Sequence, residues 1–433
     1  KLKSLILAVT AILTGSTAWA YDGSCLWLSG GDNDNQAVIT VPKSKSPTVA
    51  IAAEELNKAW HGEPLRLEIK RDKNLGNEGF RVYRDKKGLV LSANNDLGLL
   101  YGSYALLRDN AAGKAIALRE EIPAYNVRVL NHWDNLDGTI ERGYSGHSIW
   151  NWDELPDVVS PRYREYAIAN ASVGINGIVL NNVNASSKIL SAEYLAKVAK
   201  IADVFRPYGI KVYLSANFAA PMQLGGLKTA DPLVPEVAAW WKAKADFGGF
   251  LVKANSEGQP GPCDFDRTHA EGANMMARAL KPHGGIVMWR AFVYSPADAD
   301  RAKQAYIEFQ PLDGKFDDNV IVQIKNGPID FQPREPYSPL FGAMPQTDQM
   351  VEFQVTQEYL GHSNHIAYLA PMWTEFFDYV SPSSLKAIAG VANVGNDTNW
   401  TGHPMAQANW YAFGRLAWNP QLSSEEIIDE WMP

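Results

Sequence analysis

Leu251–Pro262 reads LVKANSEGQPGP: the apolar run Phe250, Leu251, Val252 breaks into Lys253, Asn255, Ser256 and Glu257, then into glycines and prolines. A short apolar run bounded by such punctuation reads as a buried strand passing into a loop. A carboxylate a few residues past a parallel strand is carried by a rigid element yet opens into a mouth lined by loops. The design recurs twice. IVQIKNGPID sets Asp330 just past an apolar run, and EFQVTQEY sets Glu358 at the end of another.

Outward from these stretches, one unit repeats from Tyr125 onward: a short apolar strand, a polar terminus, a loop, then a helix. Its strands are NVRVLNHWD (126–134), GINGIVLNNVN (174–184), GIKVYLSANF (209–218), FGGFLVKANSE (247–257), GGIVMWRAF (284–292), NVIVQIKNG (319–327), VEFQVTQEY (351–359) and AIAGVANVG (387–395). Amphipathic stretches such as SAEYLAKVAKIADVFRPYG and DADRAKQAYIEF lie between them, as strand–helix alternation requires in a parallel sheet. Eight units predict an α/β chain built on a (β/α)8 barrel over 121–420, with its working face at the C-terminal rim. HIAYLAPM (365–372) competes for the seventh strand. A doubly wound sheet is the alternative, but no glycine-rich phosphate fingerprint follows any strand.

Residues 21–120 read as a small accessory α/β domain. QAVITV is strand-like, PTVAIAAEELNKAW and LGLLYGSYALLRD have helical spacing, and EGFRVYRDKKGLVLSANN reads as a hairpin around Asp85-Lys86-Lys87-Gly88. No cluster of acids, His or Cys marks it as a site. Ahead of it, Lys1 and Lys3, the apolar run Leu5–Leu13 and Ala18-Trp19-Ala20 form a signal peptide over 1–20, which predicts export to a periplasmic, envelope-associated or extracellular location. At the other end SSEEIIDEWMP opens a helix capped by Ser423 or Ser424, expected to begin a C-terminal helical domain that is largely missing after 421–433.

A net charge of -8 and a pI of about 5.6 provide no basic field for nucleic acid. Cys25 and Cys263 allow at most one disulfide, and both thiols are expected unpaired because they fall in different domains. GxSxG, HExxH, CxxC and P-loop patterns are absent, and the His residues lack ligand spacing, so no metal or cofactor is called for. What remains is carboxylates at strand ends with Trp and Arg around them. Glycoside hydrolysis needs one protonated carboxyl to serve the leaving oxygen and one carboxylate to activate water or attack. Glu257, Asp330 and Glu358 suit those parts: any one alone reads more readily as a solvated loop charge or helix cap, but three at barrel-strand ends raise the functional reading above that. Lys253, Arg290 and Lys325 end the fourth, fifth and sixth strands. Converging in a barrel mouth, they imply an anionic substrate group, or simple pairing with the three acids.

The motifs NHWDNLDGTIERGYSGHSIWNWDELP, VKANSEGQPGP, MWRAFVY, VQIKNGPIDFQPREPYSPLFGAMP, EFQVTQEYLG and NWTGHPMAQANWYAFGRLAWNP resemble the α-glucuronidases of glycoside hydrolase family 67, over essentially the whole chain after residue 20. The resemblance implies an accessory N-terminal domain, a catalytic barrel and a mainly helical C-terminal domain that mediates dimerisation. It places the general acid on Glu257 and the acids that position or deprotonate water on Asp330 and Glu358. Carboxylate recognition falls on Lys253, Arg290 and Lys325, and Trp133 becomes a wall for the sugar. It further implies inversion, with removal of 4-O-methyl-D-glucuronic acid linked α-1,2 to the terminal xylose of glucuronoxylan-derived oligosaccharides. A non-catalytic uronate-binding module, or a barrel hydrolase for another acidic sugar, are the rivals. As general acid, Glu257 is expected to have a raised pKa, with Lys253 opposing the shift.

Overall fold

The computed structural model describes residues 22–28, 37–184, 186–293 and 300–432. The expected signal peptide, 1–20, lies outside the described residues.

The small domain is a sheet of β1 (Ile39–Thr40), β2 (Leu65–Ile69), β3 (Phe80–Asp85), β4 (Gly88–Ala93) and β5 (Arg119–Glu121), with α1 (Pro47–Ala59) and α2 (Asp96–Ala111) packed together. The strand order is β1-β2-β4-β3-β5. The hairpin closes with Asp85 opposite Gly88, as its turn residues predict. β2, an alternating LRLEI whose Leu65 and Leu67 are buried, and β5 are strands beyond those expected. Among the described residues of QAVITV, 37–41, Ile39–Thr40 forms a strand.

The barrel closes with the eight expected strands: β6 (Val127–His132), β7 (Gly177–Val179), β8 (Lys211–Ala216), β9 (Gly249–Val252), β10 (Ile286–Arg290), β11 (Val320–Lys325), β12 (Gln349–Gln354) and β13 (Ala387–Ala392), all parallel. HIAYLAPM is not a strand; it runs into α9 (Ala370–Tyr379). The other outer helices are α3 (Pro161–Ser172), α4 (Ala192–Phe205), α5 (Ala220–Leu224), α6 (Pro235–Lys242), α7 (His269–Leu280), α8 (Arg301–Phe309) and α10 (Gln407–Trp418).

One expected helix is missing: residues 326–348, between β11 and β12, contain none. Pro328, Pro333, Pro336, Pro339 and Pro345 remove the amide donors a helix there would need. Tyr337 and Phe341 cover the outside instead, with ring centroids 5.6 and 5.2 Å from that of Phe376.

Strand periodicity sets the chemistry of the interior. Val129, Val179, Tyr213, Leu251, Met288, Ile321, Met350 and Ala389 form a buried apolar layer. Two residues further on in each case, along the strand or just past its end, stand Asn131, Asn181, Ser215, Lys253, Arg290, Gln323, Glu352 and Val391, all buried, so that apolar packing gives way to polar groups near the rim. The small domain docks near the opposite ends of the strands. There the buried Arg128 donates to Glu78 at 2.8 Å and lies over the Trp418 ring, while Asn176 donates to the other Glu78 oxygen at 3.0 Å.

Cys25 and Cys263 are both exposed and unpaired. The segment around Cys25 lies on barrel helices, with Trp27 Nε1 donating to Ser172 Oγ at 2.8 Å and Gln407 Nε2 to the Gly23 carbonyl at 2.7 Å. Finally, α11 (Ser424–Trp431) starts at Ser423, whose hydroxyl accepts from the Glu426 amide while the Glu426 carboxylate accepts in return.

Candidate active site

The structure brings all the sequence-predicted site residues to one recess at the C-terminal rim. Trp133, Lys253, Glu257, Arg290, Lys325, Asp330 and Glu358 line it, with about 380 Å³ of empty space including its open mouth. The cations come from strand ends: Lys253 directly follows β9, Arg290 ends β10 and Lys325 ends β11. Their common neighbour is Phe292, whose ring centroid lies 3.7 Å from Lys325 Nζ, 5.8 Å from Lys253 Nζ and 5.7 Å from the Arg290 guanidinium carbon. A ring face is a site for cations that have given up most of their water.

The acids sit on loops, four or five residues past their strands. Glu257 adopts a left-handed backbone with φ 48°, and Asn255 two residues earlier has φ 52°. The loop is pinned by Asn255 Oδ1, which accepts from the Cys263 amide at 3.0 Å, and by Asp264, which accepts from the Gly261 amide at 2.8 Å. Gly261 is required there, because a Cβ would lie 2.1 Å from Asn255 Oδ1. The Glu257 carboxylate pairs with the buried Lys253 ammonium. Burial opposes ionisation of Glu257, but Lys253, with Lys325 and Arg290 behind it, outweighs burial and holds its pKa below the ordinary glutamate value. This corrects the expectation of a raised pKa, since three cations, and not Lys253 alone, act on the carboxyl.

Asp330 accepts from Lys325 Nζ on Oδ1 at 2.7 Å and from the Tyr359 hydroxyl on Oδ2. Its loop is shaped by Glu335, whose carboxylate accepts from the amides of Ile329, Asp330 and Gln332 at 2.8, 2.6 and 2.9 Å. The next residue, Phe331, again has a left-handed backbone, φ 58°. Burial would raise the Asp330 pKa, but Lys325, the Tyr359 hydrogen bond and Arg290 bring it below the ordinary aspartate value. Glu358 accepts from Gln354 Nε2 at 2.9 Å and pairs with Arg142 Nε at 2.7 Å, where Arg142 is exposed with φ 57°.

The expectation of simple pairing with the three acids is met only in part. Lys253 and Lys325 neutralise two of the three acids, but Arg290 does not touch the third. It forms a two-pronged pair with Glu352, a wholly buried acid on β12 that also accepts from Gln323 Nε2 at 2.5 Å. Burial and the Arg290 charge lower the pKa of both lysines, so an ammonium that loses its acid partner here is poorly solvated and open to another anion. Glu141, held by Asn182 Nδ2 at 2.6 Å, adds a further carboxylate to the wall. Trp133 packs against Phe331 and Val391, and its Nε1–H finds no acceptor among the described residues.

Glu352, Arg142, Glu141, Glu335, Tyr359 and Phe292 escaped sequence reading. Only Glu352 left a signal, a carboxylate inside the buried strand QMVEFQ and in phase with Met350 beneath it.

Residues 107–383 match the family model of the glycosyl hydrolase family 67 middle domain, and 401–433 that of the family 67 C-terminus. The chain is 47% identical over 388 residues to a probable alpha-glucuronidase A of Neosartorya fischeri, covering 82% of this chain and 46% of that protein. It is 46% identical over 395 residues to alpha-glucuronidase A of Emericella nidulans (82% and 47%), and 44% identical over 399 residues to an alpha-glucuronidase of Hypocrea jecorina (83% and 47%). It thus spans about half the length of the curated relatives it matches. In fold it is similar to a GH138 enzyme targeting pectin rhamnogalacturonan II, with a TM-score of 0.56 at 16% identity over 90% of this chain and 51% of that one. It also resembles the GH20 exo-β-N-acetylglucosaminidase of Vibrio harveyi, with a TM-score of 0.51 at 10% identity over 93% of this chain and 74% of that one.

Proposed function

Because the chain belongs to glycosyl hydrolase family 67, we propose that it carries the catalytic barrel of an inverting α-glucuronidase that removes (4-O-methyl)-D-glucuronic acid from the terminal xylose of xylooligosaccharides. The observation that supports this best is the recess itself, where acids from three separate loops meet three cations from neighbouring strand ends. In this reading Glu257 gives its proton to the leaving xylose oxygen, while Asp330 and Glu358 hold a water and take its proton as it attacks the anomeric carbon from the other face.

Lys253, Lys325 and the free edge of Arg290 receive the uronate carboxylate, and Trp133 walls the ring. The uronate thereby draws Lys253 away from Glu257, and the carboxyl, relieved of that cation, takes up the proton it must donate. Inversion requires room for the water, which sets the Glu257 carboxyl roughly 6.5 to 9.5 Å from those of Asp330 and Glu358. The residue pattern of 1–20 supports export of the protein.

The test is incubation of the chain with an aldouronic oligosaccharide panel, following the first-formed anomer by NMR. Release of β-glucuronic acid is expected, because inversion of an α-bond gives the β-anomer. First-formed α-anomer would mean retention. Binding without release would leave a uronate-binding module, and release only from other acidic sugars would change the substrate. Glu257→Ala should lose most activity on natural glucuronosides with xylose as the leaving group and least on substrates whose leaving group needs no proton. Equal loss on both would remove Glu257 from the acid role.

A further inference from the structure

Tyr359 is 40% exposed, so its ring is not held by core packing. Its hydroxyl nonetheless reaches Asp330 Oδ2, 29 residues away and on a different loop. We propose that Tyr359 is a positioning residue for the water-activating side of the site: by donating to Asp330 Oδ2 it ties Asp330 to the loop that carries Glu358. The proposal rests on the assignment of Asp330 and Glu358 to that side.

The Asp330 backbone is held by Glu335, but the plane of its carboxylate is not. Asp330 sits five residues past β11 in a proline-rich loop without a helix, and Lys325 grips only Oδ1. One ion pair leaves the carboxylate free to turn about its side-chain torsions, whereas a second donor on Oδ2, arriving from another element, fixes its plane. Tyr359 also directly follows Glu358, whose own oxygens are held by Gln354 and Arg142. The two acids that share a water are therefore linked through one residue. Displacing such a group by about 1 Å is enough to cost on the order of a hundred-fold in rate.

The charges support this assignment. Lys325, Arg290 and the Tyr359 hydroxyl face Asp330, and Glu335 approaches its backbone; Asp330, Glu358 and Arg142 face Tyr359. Burial, the hydrogen bond to Asp330 and the two carboxylate charges keep the phenol protonated far above the ordinary range, with Arg142 opposing, so it remains a donor at every working pH.

The test is Tyr359→Phe, which keeps the ring and removes the donor. Two measurements are made: titration of the Asp330 carboxyl by NMR in selectively labelled protein, assigned with Asp330→Asn, and the pH profile of turnover on an aldouronic oligosaccharide. Asp330 should titrate at higher pH in the variant, since a bond favouring its ionised form is gone. The acid limb of kcat/KM should move up with it, while kcat falls tens-fold and KM stays within about two-fold. An unchanged Asp330 titration overturns the proposal whether or not the protein turns over substrate. A raised KM with intact kcat also overturns it, making Tyr359 a wall of the sugar site. If the wild-type chain shows no turnover but Asp330 still shifts in the variant, the hydrolase reading fails and the tie between Tyr359 and Asp330 stands.

Discussion

Arg290 closes its guanidinium fork on Glu352, Nη2 to Oε1 at 2.7 Å and Nε to Oε2 at 2.8 Å, with both side chains almost wholly shielded from solvent. The pair spans strands β10 and β12 across β11 and leaves only the Nη1 edge for a ligand. Arg290→Ala would strand a buried carboxylate, at a cost of about 3 to 5 kcal/mol. The expected result is a large loss of stability in chemical denaturation and a loss of activity on both a glucuronosyl substrate and its carboxyl-reduced glucosyl counterpart, the larger on the glucuronosyl one, which also loses the free Arg290 edge. Stability near wild type would refute the structural part.

Lys325→Ala should separate the two substrates. Its ammonium lies over Phe292 and pairs with Asp330, which is partly open to the recess. If Lys325 receives the uronate as proposed, losing that partner costs on the order of 2 kcal/mol or more, tens-fold in kcat/KM, and the neutral sugar should not register that loss. Equal factors on both substrates would mean that Lys325 only holds Asp330.

Lys253 depresses the Glu257 pKa in the free protein, and kcat/KM reports free-protein ionisations. In its proposed role as general acid Glu257 works while protonated, so the basic limb of the profile should fall below the ordinary glutamate range. Lys253→Met removes the nearest cation, raises the Glu257 pKa and should move that limb to higher pH even as the absolute rate drops. A limb that stays in place would detach it from Glu257.

Glu430 on α11 pairs with Arg415 on α10 at 2.8 Å and lies 3.7 Å from Arg108 on α2, so it joins the last helix to the barrel and to the small domain. Burial opposes its charge, but Arg415 and Arg108 lower its pKa from 4.5 to about 2. A depressed carboxyl pKa contributes stability that is fully present above about 4.5 and is lost as pH falls toward about 2. Glu430→Gln should therefore cost on the order of 2 to 3 kcal/mol at neutral pH and nothing in strong acid. Thermal melts across pH measure the gap, and a gap independent of pH would count against the linkage.

Arg142 holds Glu358 from a left-handed backbone, φ 57°. Arg142→Gly and Arg142→Ala remove the same ion pair, but only glycine relieves the strain. The glycine variant should be the more stable by about 1 kcal/mol, with both equally impaired in turnover. Equal stabilities would show that the backbone there is unstrained.

What the sequence determined by itself was the scaffold and the address of the site. Apolar period, glycine–proline punctuation and caps are local signals, and they located eight strands, the Asp85–Gly88 hairpin and the Ser423 cap; the prolines of 328–345 also carried the reason that one helix is missing. Because every barrel strand delivers its C-terminal end to one rim, knowing the strands was enough to gather Glu257, Asp330, Glu358 and the three cations. Partnership was decided only by the closed barrel. Arg290 meets Glu352 over 62 residues, Arg142 meets Glu358 from the loop after the first barrel strand, and Tyr359 meets Asp330 between two loops. These contacts depend on how strands and loops distant in sequence are brought side by side, which no local pattern records. The direction of the Glu257 pKa follows from the same fact, because burial alone would raise it and the cations gathered by closure bring it down.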